Sequence, residues 1–366
     1  MHRLARAAGL SGKVWNDPGG ATIEVEGEEP DVRAFARRLP LLLPPLARLD
    51  QLEISEIPAT GDTIFEVVSS QKGRPTGAAV PPDAAVCAAC RRELEDENDR
   101  RFGHPFITCT DCGPRYSLVH SLPYDRPRTS MGCFPLCARC SGEYTDLTDR
   151  RFHAEPVCCP ECGPRLWLAN HGGAELAEGT EALNLAAEAL NDGRIVAIKG
   201  LGGFRLACRA DLVDAVDRLR QRKRRPSKPF AVMVADLEAA RALVNLQKAD
   251  EDLLGSPRCP ILLAPSRVGA RVAENIAPGM EDLGILLPTT PLHLLLFRRL
   301  GNHPLVMTSG NASDEPICKG NREALDRLGT IADLFLIHDR DIVRRVDDSV
   351  ARSSDEGPFL VRRARG

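Results

Sequence analysis

Eight of the 13 cysteines occur in a repeated pattern whose spacing suits metal coordination. Each copy reads C-x2-C-x18-C-x2-C, and the second copy follows the first at an offset of 50 residues. Zn²⁺ binds four thiolates tetrahedrally, and two C-x-x-C turns can supply them. The repeat extends beyond the cysteines, since residues 99–102 match residues 149–152. The predicted zinc ligands are Cys87, Cys90, Cys109 and Cys112 in the first copy, and Cys137, Cys140, Cys159 and Cys162 in the second.

Buried free thiols and redox-active C-x-x-C pairs are the alternatives, and neither explains four motifs in two pairs of matched register. Four thiolates leave no open position for water, so the predicted sites are structural, and metal binding would supply folding free energy. The basic pairs Arg91-Arg92 and Arg100-Arg101 alternate with acidic residues. We therefore interpret them as solvated faces and predict no nucleic-acid partner.

Residues 218–228 concentrate basic side chains between a helical pattern and a strand pattern. Such a cluster could neutralise a polyphosphate, with arginine giving bidentate contacts and lysine a point charge. A solvated helix end, favoured by the helix dipole, explains the cluster equally well. The spacing alone leaves both interpretations open.

Two loops that follow predicted strands could also bind an anion. Glycines in residues 199–204 would let a ligand approach backbone N–H groups, although the loop lacks the G-K-[ST] ending of a Walker A motif. Residues 308–311 offer hydroxyls and an amide where α/β sheets bind phosphate or ribose. A structural turn is the alternative for each loop. For the charged residues within 344–348, the alternative is an ion-pair network at the sheet edge.

The sequence places no nucleophile beside a base. His153, His293 and His338 are isolated in sequence, and we interpret them as structural. The pattern therefore favours phosphoryl or adenylyl transfer, in which catalysis comes from positioning and charge neutralisation.

The elements that would position these residues follow from the apolar patterns. Helices are predicted at residues 32–42, 180–191 (with Thr180 as a cap and Gly193 at the end) and 212–219. Strands are predicted at residues 195–198, 230–234, 261–263, 284–287, 305–307 and 334–337, which indicates an α/β domain. Residues 73–86 are rich in Gly and Pro and are typical of a linker.

Composition limits the class of protein. The formal charge is −3 and hydrophobic residues make up 43% of the chain, as in a globular protein. No apolar run reaches the roughly 18 residues of a transmembrane helix, and the N-terminus carries no apolar signal-peptide segment. We therefore predict no membrane partner and a cytoplasmic location.

Several segments resemble the HypF family, the carbamoyltransferases of nickel–iron hydrogenase maturation. The zinc-finger segments are residues 109–117 and 150–156; the segments similar to its YrdC-like domain are residues 197–204, 222–233, 308–317, 346–350 and 362–366. The resemblance implies a multidomain α+β fold. Residues 1–72 would form a truncated, ferredoxin-like acylphosphatase domain, residues 83–170 a duplicated four-cysteine zinc-finger region, and residues 178–366 an α/β YrdC-like domain with a mixed twisted sheet.

The resemblance also implies an activity. In the family, carbamoyl phosphate is hydrolysed to carbamate, which is joined to AMP from ATP. A further domain transfers the carbamoyl group to the C-terminal cysteine of HypE. The implied cofactors are two structural Zn²⁺ ions, ATP and Mg²⁺, and the implied partners are carbamoyl phosphate, a HypE-like acceptor and a separate or downstream transfer domain. The implied ATP contacts are Lys199, Lys223, Arg225, Lys228, Ser309 and Asn311.

Three departures from the family pattern shape the expectation. Family acylphosphatase domains open with a strand and a G-V-G-F-R-P loop, whereas this sequence begins in the following helix, at residues 3–6. Asn16 alone matches the family's catalytic, water-positioning asparagine. The sequence ends at residue 366, where the transfer domain would begin, and Arg205 stands where the family usually has histidine.

We expect the chain to be a portion of a HypF-like carbamoyltransferase that makes carbamoyl adenylate but hydrolyses carbamoyl phosphate poorly. Two alternatives remain at this point. One is a tRNA threonylcarbamoyl-adenylate synthase, the other activity of YrdC-like domains, for which no zinc is needed. The other is a non-catalytic zinc scaffold that binds a partner protein.

Overall fold

The computed structural model describes residues 1–17, 20–47, 49–68, 80–122, 124–312 and 315–365, and for Asn16 and Asp17 it describes the backbone alone. The chain divides into two compact units. The first comprises Met1–Pro81 with Gly142–His153, and the second comprises Pro82–Ser141 with Ala154–Gly366. No helix within the described ranges is long and apolar enough to span a bilayer.

The first unit contains a small sheet with two helices. Its elements are α1 (His2–Ala7), β1 (Ser11–Asp17), β2 (Gly20–Glu26), α2 (Glu29–Arg38), a 3₁₀ turn (Leu39–Leu42) and β3 (Phe65–Val67). The strand order is β2-β1-β3, with β1 antiparallel to β2 and parallel to β3. The predicted helix at residues 32–42 is present, and its last turn tightens to 3₁₀ where Pro40 lacks the N–H that an α-helix requires.

The repeated cysteine region contributes two short helices. They are α3 (Ala88–Glu95) and α4 (Ala138–Thr145), and each follows the first cysteine of its copy. The end of the predicted linker is packed, because Asp83 is 1% exposed and Ala84 bridges to Gly113. The chain therefore enters the first copy along a fixed path.

The rest of the second unit is built on an 11-stranded mixed sheet, in the order β14-β13-β9-β10-β8-β11-β7-β6-β12-β4-β5. Its strands are β4 (Leu166–Asn170), β5 (Glu175–Glu178), β6 (Val196–Lys199), β7 (Phe204–Arg209), β8 (Ala231–Met233), β9 (Ile261–Pro265), β10 (Asp282–Leu286), β11 (Leu305–Ser309), β12 (Leu334–His338), β13 (Val350–Arg352) and β14 (Phe359–Arg362). Its helices are α5 (Gly179–Asn191), α6 (Val213–Lys223), α7 (Leu237–Leu243), α8 (Lys248–Leu254), α9 (Pro291–Leu300) and α10 (Asn321–Leu328).

Every strand predicted for this region forms, with ends shifted by one or two residues. The predicted cap of α5 is wrong, because the helix begins one residue before Thr180, and its N-cap Glu178 makes no side-chain capping bond. Gly193 does end that helix, with a positive φ of 76° that favours glycine. The sequence did not predict β4, β5, β7, β13 or β14.

Two cores cover the two faces of the large sheet. One contains residues of α5 and α9 together with residues of the first cysteine copy, such as Leu94, Phe106 and Ile107. The other contains residues of α6, α7, α8 and α10. The first copy is therefore part of the sheet's own core.

Strand directions bring several predicted site residues to one edge of the sheet. β12 runs parallel to β6, and both β6 and β11 run antiparallel to β7. The carboxyl ends of β6, β11 and β12 therefore lie at the same edge, where open α/β sheets bind ligands. Lys199, Ser309 and His338 are the last residues of these three strands.

Candidate metal centres and nucleotide site

The first cysteine cluster is assembled around the start of α3. The Cys87 sulfur caps the helix by accepting a hydrogen bond from the Cys90 N–H at 3.4 Å. The Sγ atoms of Cys87 and Cys109 are 3.6 Å apart, and those of Cys90 and Cys112 are 3.5 Å apart. Three of the four cysteines are buried, and Cys87 is partly buried. A hydrogen bond from Cys109 is the main reason that the pKa of the Cys87 thiol is lowered.

The second cluster repeats this geometry. The Cys159 Sγ lies 3.7 Å from the Sγ atoms of both Cys137 and Cys162. Arg100 and Arg101, from the first copy, donate to the Cys140 sulfur at 3.2 and 3.4 Å. Such donors neutralise part of the negative charge that four thiolates bring to a metal.

Both clusters fit a tetrahedral metal with sulfur ligands. In each, the four sulfurs lie within 4.8 Å of one another, and these are the two metal-type clusters within the described residues. A Zn–S distance of about 2.3 Å requires sulfurs about 3.8 Å apart, close to the separations here. The predicted pairing of the C-x-x-C motifs thus produces two four-cysteine metal-binding sites.

Two cysteines near the clusters do not join them. Cys133 is exposed, and its sulfur donates to the Ser130 carbonyl at 3.3 Å. Cys158 is buried 3.4 Å from the His104 ring, and burial raises its pKa to about 12. Neither cysteine therefore belongs to a four-sulfur cluster.

Lys223 connects two segments that are separate in the sequence. Its buried ammonium donates to the Ser309 carbonyl at 2.7 Å and to the carbonyl and side-chain oxygens of Asn311 at 2.6 and 2.8 Å. Ser309 in turn donates to the Asn311 side chain at 2.6 Å. Burial lowers the pKa of Lys223 to about 8. The basic segment and the Thr-Ser-Gly-Asn loop therefore form one cluster.

The other basic residues of the segment 218–228 have different surroundings. Arg220 donates to the Asn275 and Ile276 carbonyls, and Arg222 pairs with Asp333 at 2.7 Å, so both stabilise the fold. Arg225 lies over the Phe230 ring and donates to the Pro229 carbonyl at 2.5 Å and to the Thr308 hydroxyl at 3.4 Å. Burial lowers the pKa of Arg225 to about 10. Lys228 is exposed.

Close backbone packing shapes the two loops at this edge. A Cβ at Gly310 would lie 2.7 Å from the Phe204 backbone oxygen, to which the Gly310 N–H already donates. A Cβ at Gly202 would overlap the Val346 backbone. The glycines of both loops therefore serve close approach of backbone to backbone, which supports the structural-turn interpretation at these two positions.

The charged run after β12 forms the ion-pair network that the sequence suggested as an alternative. Arg205 pairs with Asp348 at 2.7 Å, and Arg365 pairs with Asp348 at 3.1 Å. Burial alone would raise the pKa of Asp348, but Arg205 and Arg365 hold it below its ordinary value. Arg205 therefore has a defined ionic partner here.

The histidines fit a structural role. His293 is buried against the Thr289 hydroxyl at 3.4 Å, and burial lowers its pKa to about 3. Burial also lowers the pKa of His338 well below its ordinary value.

The backbone of Asn16 pairs with Ala21 in the first unit's sheet, whereas its side chain lies outside the described part of the chain.

Sequence reasoning missed several buried charges in the second unit. Arg101, interpreted as part of a solvated face, is 1% exposed, and Asp83 and Arg340 are buried beside the first cysteine copy. Asp83 accepts hydrogen bonds from the Arg115 N–H at 2.5 Å and from the Ser117 N–H and hydroxyl at 3.2 and 2.9 Å. Arg340 is 6% exposed and lies over the Phe106 ring at 5.2 Å. Asp83 lies just before the first C-x-x-C motif and has no acidic counterpart in the second copy. This departure from the repeat could have marked it as a residue with a specific role.

Three family models match successive parts of the chain. The acylphosphatase family model matches residues 1–67, the HypF finger model matches residues 86–119 and 136–169, and the Sua5/YciO/YrdC model, described as telomere recombination, matches residues 188–364. The predicted multidomain α+β fold is thus confirmed.

Relatives that are similar over the whole chain are HypF proteins, and threonylcarbamoyl-AMP synthases are similar over about half of it or less. Carbamoyltransferase HypF of Synechocystis is 49% identical and that of Rhodobacter capsulatus is 50% identical, each over 100% of this chain and 48% of the relative. A crystal structure of full-length HypF in the phosphate- and nucleotide-bound form has a TM-score of 0.91 and 45% identity, and it covers 100% of this chain and 47% of that one. The chain spans about half the length of the curated relatives it matches.

Proposed function

Because this chain is HypF-like along its whole length, we propose that it forms carbamoyl adenylate from ATP and carbamate at the carboxyl edge of its large sheet. The observation that carries the proposal is the cluster of Lys223, Ser309 and Asn311, in which a buried ammonium meets the end of β11. Arg225 adds a second, partly buried cation beside Thr308. Buried cations of this kind stabilise developing phosphate charge more than exposed ones do.

In the proposed reaction, a carbamate oxygen attacks the α-phosphorus of ATP, and pyrophosphate leaves. The chain's part is to hold the phosphates in line and to neutralise their charge. The proposed nucleotide contacts are Lys199, Lys223, Arg225, Lys228, Ser309 and Asn311. A HypF relative of known structure is described as phosphate- and nucleotide-bound, which supports nucleotide binding in general, and the six contact residues stay a prediction. Mg²⁺ is proposed to enter with the nucleotide and to supply further neutralisation.

The proposal keeps the domain division of residues 1–72, 83–170 and 178–366. Two structural zinc ions would be held by Cys87, Cys90, Cys109 and Cys112, and by Cys137, Cys140, Cys159 and Cys162. Carbamoyl transfer to a HypE-like acceptor would need a transfer domain, either separate or downstream. The cytoplasmic location also stays a prediction.

Asn16 is proposed as a catalytic residue of the acylphosphatase-like domain, and the match of residues 1–67 to the acylphosphatase model supports a role in carbamoyl phosphate hydrolysis. Phosphate release from carbamoyl phosphate that is unchanged in Asn16→Ala would contradict this part.

The central test is ATP–pyrophosphate exchange that depends on carbamate, supplied directly and, in a second arm, as carbamoyl phosphate. Lys223→Gln removes the buried charge and should lower exchange by about 100-fold, because charge-assisted contacts to the phosphates are lost. Arg322→Gln, at an exposed residue of α10, is the matched control and should leave exchange unchanged. Equal exchange in the two variants would overturn the assignment of Lys223.

The same assay separates the alternatives. Threonine-dependent turnover would indicate a threonylcarbamoyl-adenylate synthase, which the two HypF-finger matches do not favour. A zinc-loaded chain that binds no ATP at millimolar concentration would indicate a scaffold instead.

A further inference from the structure

The second metal site receives two cations from the first cysteine copy. The Nη2 atoms of Arg100 and Arg101 donate to the Cys140 sulfur at 3.2 and 3.4 Å. Arg101 is 1% exposed, and Arg100 is partly buried. A guanidinium that is buried so completely requires a negative partner, and a thiolate at Cys140 provides one.

The two arginines are carried by a turn that belongs to the core of the first copy. The turn follows α3, and the Gly103 N–H donates to the Leu94 carbonyl at 3.0 Å. Leu94 is fully buried in the core that the first copy shares with α5 and α9. The Arg101 N–H donates to the Asp99 carboxylate at 2.7 Å, which closes the turn. The positions of both cations are therefore set by the first copy and the sheet core.

Arginines from outside the second copy also hold the two segments that lead into its C-x-x-C motifs. The Arg101 Nε donates to the Cys158 carbonyl at 2.9 Å, one residue before a metal ligand. Arg126, which lies between the copies, donates to the Val157 carbonyl at 2.9 Å and to the Phe134 carbonyl at 2.7 Å. Phe134 lies just before the other C-x-x-C motif. Both pairs of ligands are therefore positioned by side chains that the second copy does not supply.

The charge and exposure of the second site explain why cations stabilise it. A Zn²⁺ ion with four thiolates carries a net charge of about −2. Cys137 and Cys162 are only half-buried, so water can reach these ligands. A hydrogen bond from a cation stabilises the charge on a thiolate ligand and fixes its orientation toward the metal.

We propose that Arg100 and Arg101 are positioning residues of the second metal site, and that zinc retention by the second cluster depends on these two cations of the first copy. The second copy repeats the ligands of the first, but its Cys140 ligand is held from the first copy. Loss of either cation should weaken zinc binding at the second cluster by about 10- to 100-fold, the range for groups that support metal ligands. This role is independent of adenylate formation, because it concerns metal binding alone.

The test uses the full chain with zinc in both sites and follows each site separately. A zinc chelator is added at increasing concentration, the freed thiols are alkylated with iodoacetamide, and mass spectrometry identifies the cysteines that react. In Arg100→Gln, the cysteines of the second cluster should react at a chelator concentration about 10-fold lower, whereas those of the first should shift by less than about 3-fold. Arg91→Gln, at an exposed arginine of α3 that pairs with Glu95, is the matched control and should leave both clusters unchanged.

Two further variants separate charge from packing. Arg100→Lys keeps a cation near the sulfur and should retain zinc within about 3-fold of the unaltered chain, whereas a residue that only fills space would be replaced equally well by glutamine. Arg101→Gln should release zinc from the second cluster at least as readily as Arg100→Gln does. Thermal melting shows whether Arg101→Gln folds, and the Arg100 variants decide if it does not.

Cobalt provides a readout that packing alone would not change. With Co²⁺ in both sites, removing a donor makes the Cys140 thiolate a stronger electron donor to the metal. Part of the sulfur-to-cobalt charge-transfer absorption should therefore move to longer wavelength in Arg100→Gln and stay in place in Arg91→Gln. An unshifted band, equal zinc loss from both clusters, or equal zinc retention in Arg100→Gln and Arg100→Lys would each overturn the inference.

Discussion

The two cysteine clusters have the same ligand spacing but different surroundings. In the first, three of four cysteines are buried, and the copy shares its core with α5 and α9 of the sheet domain. In the second, two cysteines are half-buried. The first cluster is therefore part of a large hydrophobic core, whereas the second, with the same ligand geometry, lies nearer the surface.

Residues at equivalent positions of the repeat show how this difference arises. Arg115 is buried and donates to the Pro114 and Cys109 carbonyls, whereas its counterpart Arg165 is half-exposed and pairs with acidic residues of β5 and its end. Asp83 accepts a hydrogen bond from the Arg115 N–H, just after the first cluster, and the residue at the equivalent position of the second copy is the exposed Cys133. The cysteine spacing sets the metal site, and the flanking residues set what that site stabilises.

The largest expected difference between the two clusters is in exchange activity after one cysteine ligand is removed from each. Cys112→Ser should lower the zinc content from about two to about one per chain and reduce ATP–pyrophosphate exchange by about 100-fold, because the first cluster shares its core with the sheet that carries the proposed nucleotide site. Cys162→Ser should remove one zinc but keep exchange within about 3-fold. Metal analysis and the exchange assay measure both, and an equal loss of exchange would break the comparison.

A smaller effect is expected from Asp83→Ala. The change leaves two backbone N–H groups and the Ser117 hydroxyl without their acceptor in a buried place, which should cost about 2–4 kcal/mol of unfolding free energy. Chemical denaturation measures this cost. Cys133→Ala, at the equivalent exposed position, should change stability by less than about 0.5 kcal/mol. Similar costs at both positions would mean that the copies are not specialised in this way.

Arg115→Gln should be milder, at about 2 kcal/mol, because a neutral amide can replace only part of the hydrogen bonding to the Cys109 and Pro114 carbonyls. The same denaturation experiment measures it. A loss below about 0.5 kcal/mol would show that Cys109 does not need this support.

The smallest effect is expected from Arg165→Gln, the matched change in the second copy. Its partners Glu175 and Glu178 are exposed, and exposed ion pairs contribute little. The melting temperature should change by less than about 2 °C. A larger fall would indicate that β5 depends on this contact more than its exposure suggests.

Features set by local chemistry could be predicted from the sequence. Cysteine spacing gave the two clusters, and β-branched apolar runs gave strands such as β6 and β12, which are buried on both faces. β7 was missed because Arg205 and Arg209 interrupt its apolar pattern, and β4 was missed because it directly follows the second cysteine copy.

Contacts between distant segments could not be predicted in this way. Lys223 meets Ser309 only because α6 and β11 are brought together by the order of the sheet. Arg340 has no neighbouring motif in the sequence, and it is buried against Phe106 of the first cysteine copy. Burial of this kind is not a local property of the sequence.

The pairing of β4 with β12 sets the order of events during synthesis. The Arg165 N–H bonds to Asp339 across 174 residues of chain, so β4 leaves the ribosome long before its partner. At about 5–20 residues per second, this delay lasts about 9–35 s. Both metal sites can form in that interval, and β4 can pair with β5 and pack against α5, whereas its other edge must wait for β12. We therefore expect nascent chains released before residue 338 to bind zinc and yet to aggregate through this unpaired strand edge.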